Sequence, residues 1–252
     1  MRTHFLVRAA VLWVGGTLLG AALHVESARA DLTIYCHYTF LNGDTLSRVN
    51  CYSDKRMRAT MSDGNEAIYD AASKEITFVN HARKRYWKGP LSRANAIVDS
   101  LTLERDKAFW AAAQDKQQEW FAFVERFNNS IVTRDVDETR KFAAKKCRGV
   151  EISAGNSMIH TRWITSDLKI ADYTRDIEKI LLLPALDPVG RSIGRLIVNS
   201  RKEEGGVTLG ASTKLDTPTQ KGSFSWEAYR LDTRAIPDSV WAIPAGYEKI
   251  TF

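Results

Sequence analysis

Between residues 32 and 88 the chain reads as six short segments with a two-residue period, and then the period changes. The segments are Leu32–Phe40, Leu46–Ser53, Arg56–Met61, Glu66–Asp70, Glu75–Asn80 and Lys84–Lys88. Turn-forming stretches (Asn42-Gly43-Asp44, Asp63-Gly64-Asn65 and Ala71–Lys74) separate most of them. Met57, Ala59 and Met61 alternate with Arg56, Arg58 and Thr60. This is the pattern of an antiparallel sheet with one face toward a core. Pro90 ends the block. From Ser92 to Phe127 the apolar residues Ala94, Ile97, Val98, Leu101, Ala108, Phe109, Ala112, Trp120, Val124 and Phe127 follow helical spacing. Polar stretches at Glu104–Lys107 and Gln114–Glu119 mark places where that helix can divide.

Strands are predicted again at Thr139–Ser153 and Met158–Thr165, followed by a helix over Ala171–Leu182. A last meander is predicted at Arg195–Arg201, Val207–Leu215 and Ser223–Leu231, with a compact turn or short helix at Ile236–Gly246. Strands come in runs with helices between the runs, which argues against a doubly wound parallel sheet. The expected fold is α+β: a strongly curved antiparallel β-sheet, a half-barrel, wrapped around two or three helices.

The first 30 residues form an expected cleavable export signal. Arg2 and Arg8 precede an apolar run from Ala9 to Val25, and Ala28-Arg29-Ala30 gives the small residues of a cleavage site. No cysteine stands there for lipid attachment. Cleavage after Ala30 leaves 222 residues as one domain, residues 31–252, in the periplasm. The chain carries a net charge of +6, of which the signal holds two. A mildly basic remainder permits contact with anionic surfaces without demanding it.

An oxidising compartment permits a disulfide. If Gly43-Asp44 is the two-residue turn of the first hairpin, Cys36 lies opposite Cys51. If Asn42-Gly43 is the turn, Cys36 faces Val49 and a bridge is strained. The expectation is a Cys36–Cys51 bridge, with Cys147 left over.

Catalytic motifs are weak. Gly190-Arg191-Ser192-Ile193-Gly194 matches a nucleophile elbow, but prolines precede it, a strand is predicted after it, and no histidine follows His160. A glycine-rich turn is the expected structure. His37, His81 and His160 show no metal-ligand spacing, so no metal or cofactor is expected. A Cys147–His160 pair is conceivable only if their strands are neighbours. The cluster His81, Arg83, Lys84, Arg85 and Lys88, with Tyr86 and Trp87, suits a membrane surface through Arg83, Lys84, Arg85 and Lys88. A charge run of this kind is ordinarily a solvated hairpin. Nucleic acid is not an expected partner of an exported chain.

Three stretches carry a resemblance. The first runs from Lys55-Arg56-Met57-Arg58 through Ile68-Tyr69-Asp70 to Arg85-Tyr86-Trp87. The second is Cys147-Arg148-Gly149-Val150-Glu151-Ile152 with Thr161-Arg162-Trp163-Ile164-Thr165. The third is Pro237–Tyr247, a closure motif. Together they make the chain similar to the periplasmic lipoprotein-carrier-like (LolA-like) half-barrel superfamily, especially its uncharacterised single-domain members. The resemblance implies a non-enzymatic protein whose concave face accepts a lipid, a lipoprotein acyl chain or another apolar ligand. Its candidate lining is Tyr38, Phe40, Met57, Met61, Ile76, Phe78, Trp163, Phe224 and Trp226. The alternatives are an envelope interaction or scaffold protein with a filled core, and a hydrolase using Ser192.

Overall fold

The computed structural model describes residues 31–40, 43–61, 64–174, 177, 188–199, 205–217 and 221–251. The predicted export signal lies outside them, as does most of the helix predicted over Ala171–Leu182. The first six strands are β1 (Leu32–Thr39), β2 (Thr45–Tyr52), β3 (Arg56–Thr60), β4 (Glu66–Asp70), β5 (Glu75–Asn80) and β6 (Arg85–Pro90). They match the alternation read in the sequence to within two residues at each end. Helices α1 (Ala94–Ala112) and α2 (Gln117–Asn129) follow, parted by a 3-10 turn at Gln114–Lys116. The polar stretch at Glu104–Lys107 does not break α1. Ala108 and Ala112, predicted to face the core, are exposed, while Ala94, Ile97, Trp120 and Phe127 are buried.

The second half contains β7 (Ile131–Phe142), β8 (Lys145–Ala154), β9 (Met158–Thr165), α3 (Pro188–Asn199), β10 (Val207–Asp216), β11 (Lys221–Asp232) and the short β12 (Glu248–Lys249). These strands form one sheet in the order β12-β6-β5-β4-β3-β2-β1-β11-β10-β9-β8-β7, antiparallel except where β12 lies parallel to β6. It is a curved, open half-barrel, as the pattern of strand runs predicts. Register shifts at Tyr35/Cys36, Thr208/Gly210 and Val136/Thr139 help it bend.

Helices cover one face. Ala94 and Ile97 of α1 pack with Ile34, Met57, Tyr69, Ile76 and Phe78. Trp120 and Phe127 of α2, with Val189 and Ile193 of α3, pack on Ile152, Ala154, Met158 and Leu215. The C-terminal segment crosses the opposite face of β2–β6. There Arg58 donates to the carbonyls of Val240 and Ala242 and to Glu66, and Arg56 donates to Asp238 while lying over the Trp241 ring. His81 joins Glu66 to the Tyr247 hydroxyl, 2.8 Å from each.

Three sequence expectations are corrected. The segment Thr139–Ser153 is two strands, because Ala143 (φ 46°) and Ala144 (φ 65°) turn the chain between Phe142 and Lys145. Two consecutive left-handed residues make a tight hairpin turn that normally calls for Asn-Gly, so alanines gave no turn signal. Each alanine holds a conformation that costs an L-residue about 1 kcal/mol. Ala143→Asn with Ala144→Gly is therefore expected to raise stability by about 1 kcal/mol, seen as a higher urea midpoint. An unchanged midpoint would contradict a strained turn.

The second correction is Arg195–Arg201, predicted as strand. Residues up to Asn199 belong to α3, whose Val189, Ile193, Leu196 and Ile197 recur at helical spacing against the α2 aromatics. Packing of that apolar stripe overrides two helix glycines. The third is the disulfide. Phe40 N–H donates to Asp44 C=O and Gly43 N–H to Phe40 C=O, so the first hairpin closes through a five-residue loop. Cys36 then pairs with Arg48, and Cys51 with Thr33. The two cysteines stand on opposite faces of the sheet, and both are free thiols, as is Cys147. Two side chains on opposite faces cannot meet within disulfide geometry.

Candidate functional site

Chain topology places the β1–β2, β3–β4, β5–β6, β8–β9 and β10–β11 connections at one end of the half-barrel. On the helix-bearing face at that end, β1 presents Cys36 and Tyr38. The adjoining β2 presents Arg48 and Leu46, and β11 presents Ala228, Trp226 and Phe224, as the register Cys36↔Arg48, Tyr38↔Leu46 and Tyr38↔Trp226 requires. Tyr38 and Trp226 stack with ring centroids 5.8 Å apart and planes 16° from parallel. The Arg48 guanidinium lies 4.0 Å from the Tyr38 ring centroid and 5.7 Å from that of Phe40. Arg48 is only 6% exposed, Tyr38, Phe40, Leu46 and Trp226 are half-buried, and Phe224 is 36% exposed. The mouth is thus an aromatic cluster around a buried cation.

The other residues of the predicted lining divide. Met57, Met61, Ile76 and Phe78 share that sheet face but are buried in the core, Phe78 stacking on Trp87 at 6.0 Å. Trp163 belongs to the same hydrophobic core but stands on β9. It pairs with Gly149 and Gly210, and strand alternation directs it to the side opposite its neighbours Arg162 and Ile164. There it packs against Phe142 beneath Arg140, whose guanidinium is 4.5 Å from the ring. A Cβ on Gly149 would come within 2.9 Å of that ring, so the close fit requires glycine. Sequence reading missed Arg48, although alternation along Leu46, Arg48 and Asn50 marked it once the pairing was known.

The remaining candidates are placed as follows. Ser192 lies inside α3 and donates to the Pro188 carbonyl at 3.1 Å, so Gly190–Gly194 is a helical turn and not the predicted loop. Cys147 and His160 do not meet. His160 pairs with Ile152 on the face alternate to that of Cys147 and bonds to Thr213 Oγ1 at 2.8 Å. Burial raises the Cys147 thiol pKa. In the basic cluster, Arg85 pairs with Glu248 and Lys88 with Glu75, each at 2.9 Å, and Trp87 is buried. Arg83 and Lys84 are exposed on the β5–β6 turn, at the same end as the mouth.

A polar cleft of about 430 Å³ lies at the opposite end, lined by Asp31, Ser53, Asp54, Lys55, Arg56, Asp70, Ala72, Ile236 and Trp241. Two of its carboxylates are engaged with backbone: Asp31 accepts from Ile236 N–H, and Asp70 from Ala72 and Ser73 N–H. Among the described residues, no three His, Cys, Asp or Glu side chains converge as metal ligands, and no helix is long and apolar enough to cross a membrane.

Fold and site define a class: an α+β half-barrel, helices against its curved sheet, with an aromatic mouth. No protein-family model matches the sequence, and no curated protein matches it. Similar solved structures include PNGF-II, at 11% identity and TM-score 0.40 over 88% of this chain and 31% of that one. MucB is similar at 11% identity and TM-score 0.39, over 88% of this chain and 61% of that one. A LolA superfamily protein from Nitrosomonas europaea is similar at 5% identity and TM-score 0.25, over 84% and 89%. The chain therefore spans less than a third of PNGF-II and less than two thirds of MucB. These are likenesses of gross arrangement, and none brings a ligand or an activity with it.

Proposed function

We propose that this chain is an exported, periplasmic, non-enzymatic protein that binds an apolar ligand, a lipid or acyl chain, at the mouth of its half-barrel. One observation carries the reading: Tyr38, Phe40, Trp226 and Phe224 gather at the end of the concave face and stay partly open to solvent. Such a cluster, rimmed by polar turns, suits an apolar partner better than water. The buried Met57, Met61, Ile76 and Phe78 continue the same apolar surface inward. Arg83 and Lys84, on a turn at the same end, suit approach to an anionic membrane surface. The helical setting of Ser192 favours a binder over a hydrolase.

The test is the protein purified from the periplasm, extracted into organic solvent and examined by mass spectrometry. Fatty acids or lipids at near one equivalent are expected, with occupancy lost in Trp226→Ala. Empty protein that also takes up no added lipid would overturn the proposal. In that event the scaffold reading gains, with Leu103 (49% exposed) and Phe121 (57%) on the outer helix surface as its contact points.

A further inference from the structure

We infer that the polar cleft is the seat of the chain's own processed N-terminus: removal of the export signal after Ala30 leaves the Asp31 α-ammonium there, paired with Asp54, and so fastens the start of the C-terminal segment. This rests on the export reading proposed above and is independent of what the mouth binds.

The placement follows from register. Leu32 is buried and pairs with Tyr52, so β1 is fixed from its first residue. Asp31 stands one residue before it, and with the β2–β3 turn residues Ser53, Asp54 and Lys55 it lines the cleft. Asp31 is held a second time, because its carboxylate accepts Ile236 N–H at 2.7 Å. The main-chain nitrogen of Asp31 thus belongs to a residue tied to the core on one side and to the C-terminal segment on the other. In the precursor that nitrogen is a neutral peptide N–H. Cleavage between Ala30 and Asp31 turns it into a cation.

The cleft is short of positive charge. Its carboxylates are Asp31, Asp54 and Asp70, and its cations are Lys55 and Arg56. Arg56 is already taken by Asp238 of the C-terminal segment, at 2.8 Å, and lies over Trp241. Asp70 accepts two backbone N–H groups. On the other side of β1, Thr33 pairs with Asp232, whose carboxylate is held by Arg234. Asp54 is exposed on its turn and has no side-chain partner among the described residues, and Lys55 beside it is exposed as well. A cation arriving on Asp31 therefore meets one carboxylate that nothing else engages. Such a pair favours the ammonium form in the folded chain over the unfolded one. Its stabilisation is fully present below the ordinary α-amine range, near pH ~8. It is lost as pH rises through the higher folded value.

The experiment begins with the mass of the protein recovered from the periplasm. A chain starting anywhere but Asp31 overturns both the cleavage position and the seat, and leaves apolar binding at the mouth standing. Two chains are then released from a cleavable fusion, one beginning at Asp31 and one at Ala28, each with and without Asp54→Asn. Both carry a free α-amine, but in the longer chain it lies three residues away from the cleft. Asp54→Asn is expected to lower the folded-to-unfolded ratio of the Asp31 chain about threefold near pH ~6.5, the scale of a partly exposed charge pair, and to have no effect near pH ~9.5. In the Ala28 chain it is expected to change neither. Urea melts read these ratios, and the double comparison isolates the pair from any effect of Asp54 on its own turn. Amide exchange at Ile236 is expected to be slower in the Asp31 chain than in the Ala28 chain, and to accelerate with Asp54→Asn in the former alone. An equal effect of Asp54→Asn in both chains, or equal Ile236 exchange in both, overturns the proposal.

Discussion

Asp106→Ala is expected to destabilise the protein by about 3 kcal/mol, the scale for removing one member of a buried ion pair. Asp106 lies on α1 and accepts from Arg191 of α3, and also from Thr102 Oγ1 at 3.0 Å. Arg191 is 7% exposed and Thr102 3%. Truncating Asp106 removes the carboxylate that the buried guanidinium meets between two helices. For a domain of this size the loss corresponds to a fall of roughly 10 °C in Tm. Asp106→Asn, which keeps an acceptor for Thr102 but loses the charge, should fall between. Replacing both partners, as Asp106→Leu with Arg191→Met, should recover most of the stability, since an apolar pair removes the desolvation cost. Thermal melts of the four proteins make the check. A single mutant melting within a degree of wild type would show that the pair does not fasten α1 to α3.

Arg58→Ala is expected to loosen the C-terminal segment over the back of the sheet, at a cost of about 2–3 kcal/mol for charged hydrogen bonds lost. Arg58 is the only residue described here that binds both the strap carbonyls of Val240 and Ala242 and the carboxylate of Glu66. Two readouts follow. Amide exchange over residues 238–250 should accelerate. Cys51, which pairs with Arg58 and is now buried, should react faster with a thiol reagent; burial is the main cause of its raised pKa. Unchanged exchange with an inert Cys51 would mean that Trp241 and β12 hold the strap alone.

The same cluster makes the strap sensitive to acid. Burial pushes the Glu66 carboxyl up, but hydrogen bonds and charge from Arg58 and His81 outweigh it, so its pKa lies below the usual carboxylate value. A folded-state pKa below the unfolded one stabilises the protein fully above the ordinary glutamate range, near pH ~4.3. That contribution is lost as pH falls through the depressed folded value. Glu66→Gln should flatten stability across that window and leave its slope at higher pH alone.

The first six strands were legible because alternation is local: each residue reports which side of a pleated surface it occupies, whatever the strand pairs with. The helix pattern of 94–127 was legible for the same reason, and its break at Gln114–Lys116 coincided with a polar stretch. The β7–β8 turn was not legible, because Ala143 and Ala144 carry none of the usual turn chemistry. Helix α3 was missed because its glycines outweighed a stripe, Val189, Ile193, Leu196 and Ile197, that gains its meaning from α2 packing against it.

By itself, then, the sequence determined the α+β half-barrel pattern and the aromatic residues Tyr38, Phe40, Phe224 and Trp226. Tertiary structure decided which of those aromatics meet, through register. A five-residue loop instead of a two-residue one moves every β2 side chain relative to β1. It puts Cys51 on the back of the sheet and turns Arg48 inward beneath Tyr38. Loop length and strand partners are settled by the energy of the whole assembly, and no local period records them.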